Sequence, residues 1–255
     1  MVSVTFSTCF YEIKSKFDVN TYKHWMNNFL LYTTANVVVY TDSKSIQHLP
    51  TSLAPNIKVV IKEMREFYNY KYKEKWIKNN AQNYLLNHVS WELQMLWAEK
   101  ANFVYETSLA NCFNTEWFGW CDIGYFREAP IERNWGTQID ESKFSDDYIY
   151  YGCVCDKSYV DSLNNLVKTS DENGLPLNPI PNDQISVAGG FFICNKKLVE
   201  CWRDYYDSML IKYFTSGRLV KDDQIIIINC ALLNQKVFKF IYERNRWFMF
   251  RRLLS

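Results

Sequence analysis

Short continuous apolar runs alternate along this chain with stretches in which apolar residues recur at helical spacing. "VSVTFSTCF" (Val2 to Phe10) is β-branched and aromatic and predicts a buried first strand. In "DVNTYKHWMNNFLLYTTA" the large side chains Tyr22, Trp25, Met26, Phe29 and Leu30 recur at helical spacing. "NVVVYTDSK" then predicts a short apolar strand ending in Thr41-Asp42-Ser43. A strand, a helix and a second strand, with both strands apolar throughout, predict a parallel sheet covered on both faces.

"NIKVVIKEM" (Asn56 to Met64) predicts a third strand, and a helix-rich stretch follows from about Glu74 to Thr107. Within it Ser90 is placed to cap a helix whose buried stripe is Leu93, Leu96, Trp97 and Phe103. "EWFGWCDIGYFREAP" (Glu116 to Pro130) reads as the next strand and its exit. "DYIYYGCVC" predicts another strand, and "SYVDSLNNLVKT" a helix with Ser158 and Asp161 spaced as a capping box. The proline-rich segment from Ser170 to Asp183 has no periodicity and predicts a loop, either a lid or a connector. "SVAGGFFICNK" then reads as a strand, "KLVECWRDYYDSMLIKYF" as a long amphipathic helix, "DDQIIIINCALL" as a helix opened by acids, and "KVFKFIY" as a last strand.

The 255 residues fit one domain, 1–255. Lys and Arg number 29 against 28 acids, so no global charge draws the chain to nucleic acid or to an anionic membrane. No apolar run reaches the length of a spanning helix, which predicts a soluble chain without a transmembrane segment. The eight cysteines include no C-x-x-C pair, and "MVSVTFST" does not read as a secretory leader; both predict reduced thiols and a cytoplasmic setting. Aromatic residues make up 17% of the chain, enough to supply stacking platforms as well as core. His24, His48 and His88 lie far in sequence from the acidic motifs and read as structural or solvated. No phosphate-binding glycine loop, nucleophile elbow or zinc-protease motif is present.

Ligands of open α/β sheets bind beyond the carboxyl ends of the strands. Three such ends carry polar residues here: Ser7-Thr8, Thr41-Asp42 and Asp122, and together they predict one crevice. Asp42 alone equally suits a cap on the turn after its strand. Asp122 interrupts an apolar run and needs a partner. Either backbone amides or Arg127 satisfy it, or it is a ligand for a hard divalent cation, which takes oxygen donors. Gly124 lets a phosphate or metal approach the backbone. Gly189 and Gly190, inside a β-branched strand, mark a bulge or a closely packed ligand. Asp222 and Asp223 open a helix; capping accounts for one, and the other, if it points at the crevice, is placed to take a proton from an attacking hydroxyl or to stabilise a cationic sugar transition state.

The order of "VTFSTCFYEI", "VVVYTD", "FGWCDIGYFRE", "VAGGFFICNK" and "DDQIIIINC" resembles the HtrL/YibB-type family of glycosyltransferases, and covers most of the chain. The resemblance implies a single GT-A-like, Rossmann-related α/β domain: a central, mostly parallel sheet flanked by helices, with residues 1–125 binding a nucleotide-sugar and 126–255 serving acceptor and catalysis. It implies transfer of a hexosyl or deoxyhexosyl group from a UDP- or GDP-linked donor to a glycan or other hydroxyl acceptor, with Mn2+ or Mg2+ as cofactor. Ser7, Thr8, Cys9 and Phe10 would then cradle the nucleoside, with Asp42 beside them, and Asp122 would bind the metal on the diphosphate. Gly189 and Gly190 would lie where sugar and acceptor meet, and Asp222-Asp223-Gln224 would match the catalytic acidic motif. Lys100 would reach the diphosphate, or else run along the surface as a snorkelling lysine. The sequence departs from the pattern at Gly124, where many relatives carry a second acid, and in having no histidine in its C-terminal half. A nucleotidyltransferase of the sugar-nucleotide pyrophosphorylase type, which usually has a glycine-rich loop after its first strand, and a catalytically silent binding or interaction module are the alternatives.

Overall fold

The computed structural model describes residues 2–128, 138–139, 143–248 and 250. It is an α/β fold. Seven strands run in line: β1 (Val2–Phe10), β2 (Asn36–Thr41), β3 (Ile57–Ile61), β4 (Trp117–Cys121), β6 (Ile149–Cys153), β7 (Val187–Asn195) and β8 (Phe238–Tyr242), in the order β3-β2-β1-β4-β7-β6-β8. A two-residue strand, β5 (Gln138–Ile139), pairs with the start of β1. All neighbours in line are parallel except β7, which is antiparallel to both β4 and β6.

Helices α1 (Val19–Leu30), α2 (Lys73–Ala81), α3 (Trp91–Ala110), α4 (Lys157–Leu166), α5 (Lys196–Thr215) and α6 (Asp223–Leu233) complete the fold. Side chains alternate across the sheet with period two. Val4, Phe6, Val37, Val39, Trp117 and Cys121 join the α1 side, while Val38, Tyr40, Phe118 and Trp120 face α3, α5 and α6. Burial on both faces is why these strands read as continuous apolar runs. Two of the inward polar groups of β1 are paired, Thr5 Oγ1 with Thr115 Oγ1 at 2.7 Å and Ser7 Oγ with Thr107 Oγ1 at 2.7 Å, while the buried Thr8 hydroxyl has no hydrogen-bond partner among the described residues.

The predicted strands and helices are present, and of the two predicted caps Ser90 holds the N-cap position of α3 while the Ser158–Asp161 box is absent. Ser90 has the extended backbone of a cap, yet its hydroxyl makes no capping bond. Ser158 lies inside α4, which begins after Asp156, and Asp161 pairs with Lys157 at 3.4 Å instead of closing a box. The Ser170–Asp183 segment is a tethered connector. Leu175 and Ile180 are buried, and the Arg218 guanidinium donates to the Pro176 carbonyl at 2.7 Å.

Next to the site, Glu99 on α3 is fully buried and accepts from Tyr68 N, Asn69 N and Asn69 Nδ2 at 2.8, 3.0 and 2.7 Å, holding the segment before α2 against the helix. Burial pushes its carboxyl up to about 7, against the partial relief given by those donors. Because the folded pKa lies above the unfolded one, the stabilising contribution is complete below the unfolded value and disappears as pH rises through about 7. Wild type should therefore lose roughly 2–3 kcal/mol relative to Glu99→Gln between pH 5 and pH 8, read from urea unfolding of both proteins. A difference that does not change with pH would show that Glu99 keeps an ordinary carboxyl.

Candidate functional site

The chain leaves β1 for β2 and β3 on one side, then returns through α2 and α3 to place β4 on the other side of β1. A crevice forms at such a reversal, beyond the carboxyl ends of the two diverging strands. Here it has two lobes. The aromatic lobe, about 690 Å³ with its open mouth, includes Cys9, Phe10, Tyr22, Trp25, Trp120 and Gly124. The polar lobe, about 960 Å³ on the same measure, includes Lys16, Gly189, Gly190, Asp222, Asp223 and Gln224. Trp97, Lys100, Asp122, Arg127 and Phe248 line both.

Lys100 is the centre of the arrangement. It lies three residues after Trp97 on α3, so both side chains face the crevice. Its side chain is only 11% exposed, and Nζ lies 3.0 Å from Asp122 Oδ1, 2.8 Å from Asp223 Oδ2 and 3.0 Å from the Gly189 carbonyl. Three acceptors thus surround the ammonium, and the Gly189 carbonyl takes a hydrogen bond from it. The Asp223 contact is a charge pair rather than an aligned hydrogen bond. Burial alone would lower the lysine's pKa, but the two carboxylates outweigh it and hold it above its ordinary value.

The partner that Asp122 requires is thus Lys100, joined by Trp120, whose Nε1 donates to Oδ1 at 2.6 Å. Arg127 serves elsewhere: its guanidinium lies 4.6 Å from the Trp25 ring centre and 4.4 Å from that of Phe248. Asp122 is not enclosed, since 40% of its side chain is exposed. Asp222 is the N-cap of α6 and accepts from Ile225 N at 3.3 Å. Burial, and then the neighbouring Asp223, raise its carboxyl above the ordinary carboxylate range. Asp223 is the acid turned into the crevice, with 7% of its side chain exposed.

The two glycines of β7 make room for these acids. A Cβ on Gly189 would lie 2.6 Å from Asp223 Oδ2, and one on Gly190 would lie 3.0 Å from Asp122 Oδ2. The β6–β7 register also shifts across this stretch, so both explanations of the pair, irregular pairing and close approach, hold here, with the protein's own carboxylates making the approach. Gly189→Ala should cost about 1–3 kcal/mol because the pinned carboxylate of Asp223 must move. Combining it with Asp223→Ala removes the clash, so the double variant should lose less stability than the two single losses added, as measured by urea midpoints.

The crevice gathers Cys9, Phe10, Lys100, Asp122, Gly124, Gly189, Gly190, Asp222, Asp223 and Gln224. Three predicted residues are elsewhere. Ser7 is buried against α3 and Thr8 is buried within the sheet, because the apolar lobe begins only at Cys9. Asp42 caps the turn after β2, accepting from Ser45 N at 2.6 Å. Gly124 does line the crevice, but the space of its missing side chain is taken by Trp25, 2.9 Å from an added Cβ, and not by an approaching phosphate or metal. The reading of the sequence missed Tyr22, Trp25 and Trp97 as lining residues, although their helical spacing was visible; Lys16 and Phe248 gave no signal.

A divalent cation at Asp122 is the group the family resemblance implies. The donor set as folded fits an ammonium instead. A divalent ion held by one or two carboxylates fills its shell with water and phosphate oxygens, but here the two carboxylates and a carbonyl already converge on one lysine, whose ammonium holds the position between them. Among the described residues, no group of three or more His, Cys, Asp or Glu side chains is gathered to hold a metal. Among those residues, too, no helix is long and apolar enough to cross a membrane. No protein-family model matches this chain, and no curated protein matches it.

Proposed function

We propose that this chain is a glycosyltransferase, of the HtrL/YibB type and with a GT-A-like domain, that moves a sugar from a nucleoside-diphosphate sugar to a hydroxyl acceptor. The observation that carries the reading is the two-lobed crevice at the carboxyl ends of β1 and β4, one lobe aromatic and the other ending at Asp223. Tyr22, Trp25, Phe10 and Trp97 offer ring faces and edges to a nucleobase and ribose. Arg127 and Lys16, both exposed at the mouth, supply positive charge for the diphosphate. Negative charge grows on the departing nucleoside diphosphate, and fixed cations beside it lower the barrier.

Asp223 accepts the proton of the attacking hydroxyl. It is fixed by Lys100 and sits against Gly189, where the lack of a side chain keeps the floor of the polar lobe low. Asp222, as the helix cap, holds the start of α6 and thereby positions Asp223. Eight free cysteines suit a cytoplasmic setting.

The test is incubation of the purified chain with UDP- and GDP-sugars and a panel of sugar acceptors, with released nucleoside diphosphate as the readout. At least one donor should turn over, and Asp223→Asn should slow it by about 10²- to 10⁴-fold, the usual worth of a general base. Failure of every donor to turn over, together with no thermal shift on adding any nucleotide, would reject the reading.

A further inference from the structure

The crevice carries three cations, Lys16, Lys100 and Arg127, and three acids, Asp122, Asp222 and Asp223. Their pairing is uneven. Lys100 is committed to Asp122 and Asp223 as ion pairs and to the Gly189 carbonyl by a hydrogen bond. Asp222 is engaged by Ile225 N and by Lys221 at 3.6 Å. Arg127 and Lys16 have no carboxylate within ion-pair distance among the described residues; they lie over rings instead, Arg127 over Trp25 and Phe248 and Lys16 over Trp97 at 5.3 Å. The acids are therefore neutralised from within, and the uncommitted positive charge lies at the mouth.

We propose that Lys100 occupies, as a built-in cation, the position between Asp122 and Asp223 that a divalent metal would require, and that the phosphates of the bound nucleotide are held by Arg127 and Lys16 without metal. The nucleotide half of this inference rests on the reading given above; the Lys100 half does not. A metal entering here must first displace an ammonium that is 11% exposed and held by two carboxylates and a carbonyl. Arg127 is suited to the phosphates because its planar fork binds two oxygens at once, and because ring faces already orient it.

Two measurements on the full chain test the two halves. In the first, Mn2+ alone is titrated and its free electron-paramagnetic-resonance signal followed: the signal should be unaffected by the protein. Stoichiometric uptake of Mn2+ that Asp122→Asn abolishes would overturn the role of Lys100. In the second, UDP and GDP are titrated calorimetrically in EDTA and in excess Mn2+. The dissociation constants should agree within about twofold, and Arg127→Ala should weaken binding by about tenfold or more in both buffers. Tightening by about tenfold in Mn2+, or binding unchanged by Arg127→Ala, would overturn metal-free capture of the phosphates. If neither nucleotide binds in either buffer, the donor reading and the phosphate half fail together, and the Mn2+ titration still decides for or against Lys100.

Discussion

Replacing Lys100 with methionine should lower stability by about 3–5 kcal/mol, the usual cost of removing one member of a buried ion pair. The shape of the side chain is nearly kept, so the loss is electrostatic. Its two partners are not equivalent. Asp122, with 40% of its side chain exposed and Trp120 Nε1 still donating to it, can be rehydrated. Asp223, 7% exposed and packed under Gly189, cannot be, and it is left as an uncompensated charge in a poorly hydrated corner. It follows that Lys100→Met/Asp223→Asn should recover most of the loss, whereas Lys100→Met/Asp122→Asn should recover little. Denaturant midpoints of the three variants give the comparison. Equal rescue by both second substitutions would mean that Asp122 and Asp223 share the burden, contrary to their exposures.

Gly119→Ala should cost about 3 kcal/mol or more, although residue 119 touches no part of the crevice. An added Cβ would lie 2.2 Å from the backbone oxygen of Phe192, 2.8 Å from Ile193 Cγ2 and 3.1 Å from Phe6 Cε1. The side-chain contacts could relax, but the carbonyl belongs to β7 in the middle of the sheet, so β4 and β7 must separate locally. Ile193→Ala, which removes Cγ2, should therefore not restore stability. For a chain of this size the expected fall in melting temperature is about 6–12 °C. The same ladder ends in the bond from Asp122 N to the Gly190 carbonyl at 2.9 Å, which orients the carboxylate of Asp122. Any nucleotide binding should thus weaken in this variant at temperatures where it is still folded, and binding at wild-type strength would separate the β4–β7 pairing from the site.

Local patterns were enough for the elements because each is set by neighbours in sequence. The continuous apolar, β-branched and aromatic runs of β1, β2 and β4 and the helical spacing of α1 and α3 need no knowledge of what covers them. The acids at the start of α6 and the glycine pair of β7 were legible for the same reason: a residue type at odds with its surroundings marks a special position. Even so, whether Asp222 or Asp223 does the capping was not legible, because both satisfy the same local rule; the packing of α6 against β7 settles it.

A strand-and-helix order that yields an α/β sheet buried on both faces, and the need of Asp122 for a partner, are both legible residue by residue along the chain. The identity of that partner emerges only when the chain is folded. Lys100, Asp122, Gly189 and Asp223 come from α3, the end of β4, β7 and α6, and no periodicity in any of these segments encodes the rotation that turns one lysine toward all three others. Nor could sequence show that β1 spends Ser7 and Thr8 on the interior and offers only Cys9 and Phe10 to the crevice. Charge pairing and the limits of a cavity depend on distances across the fold, and these exist only once the sheet has assembled.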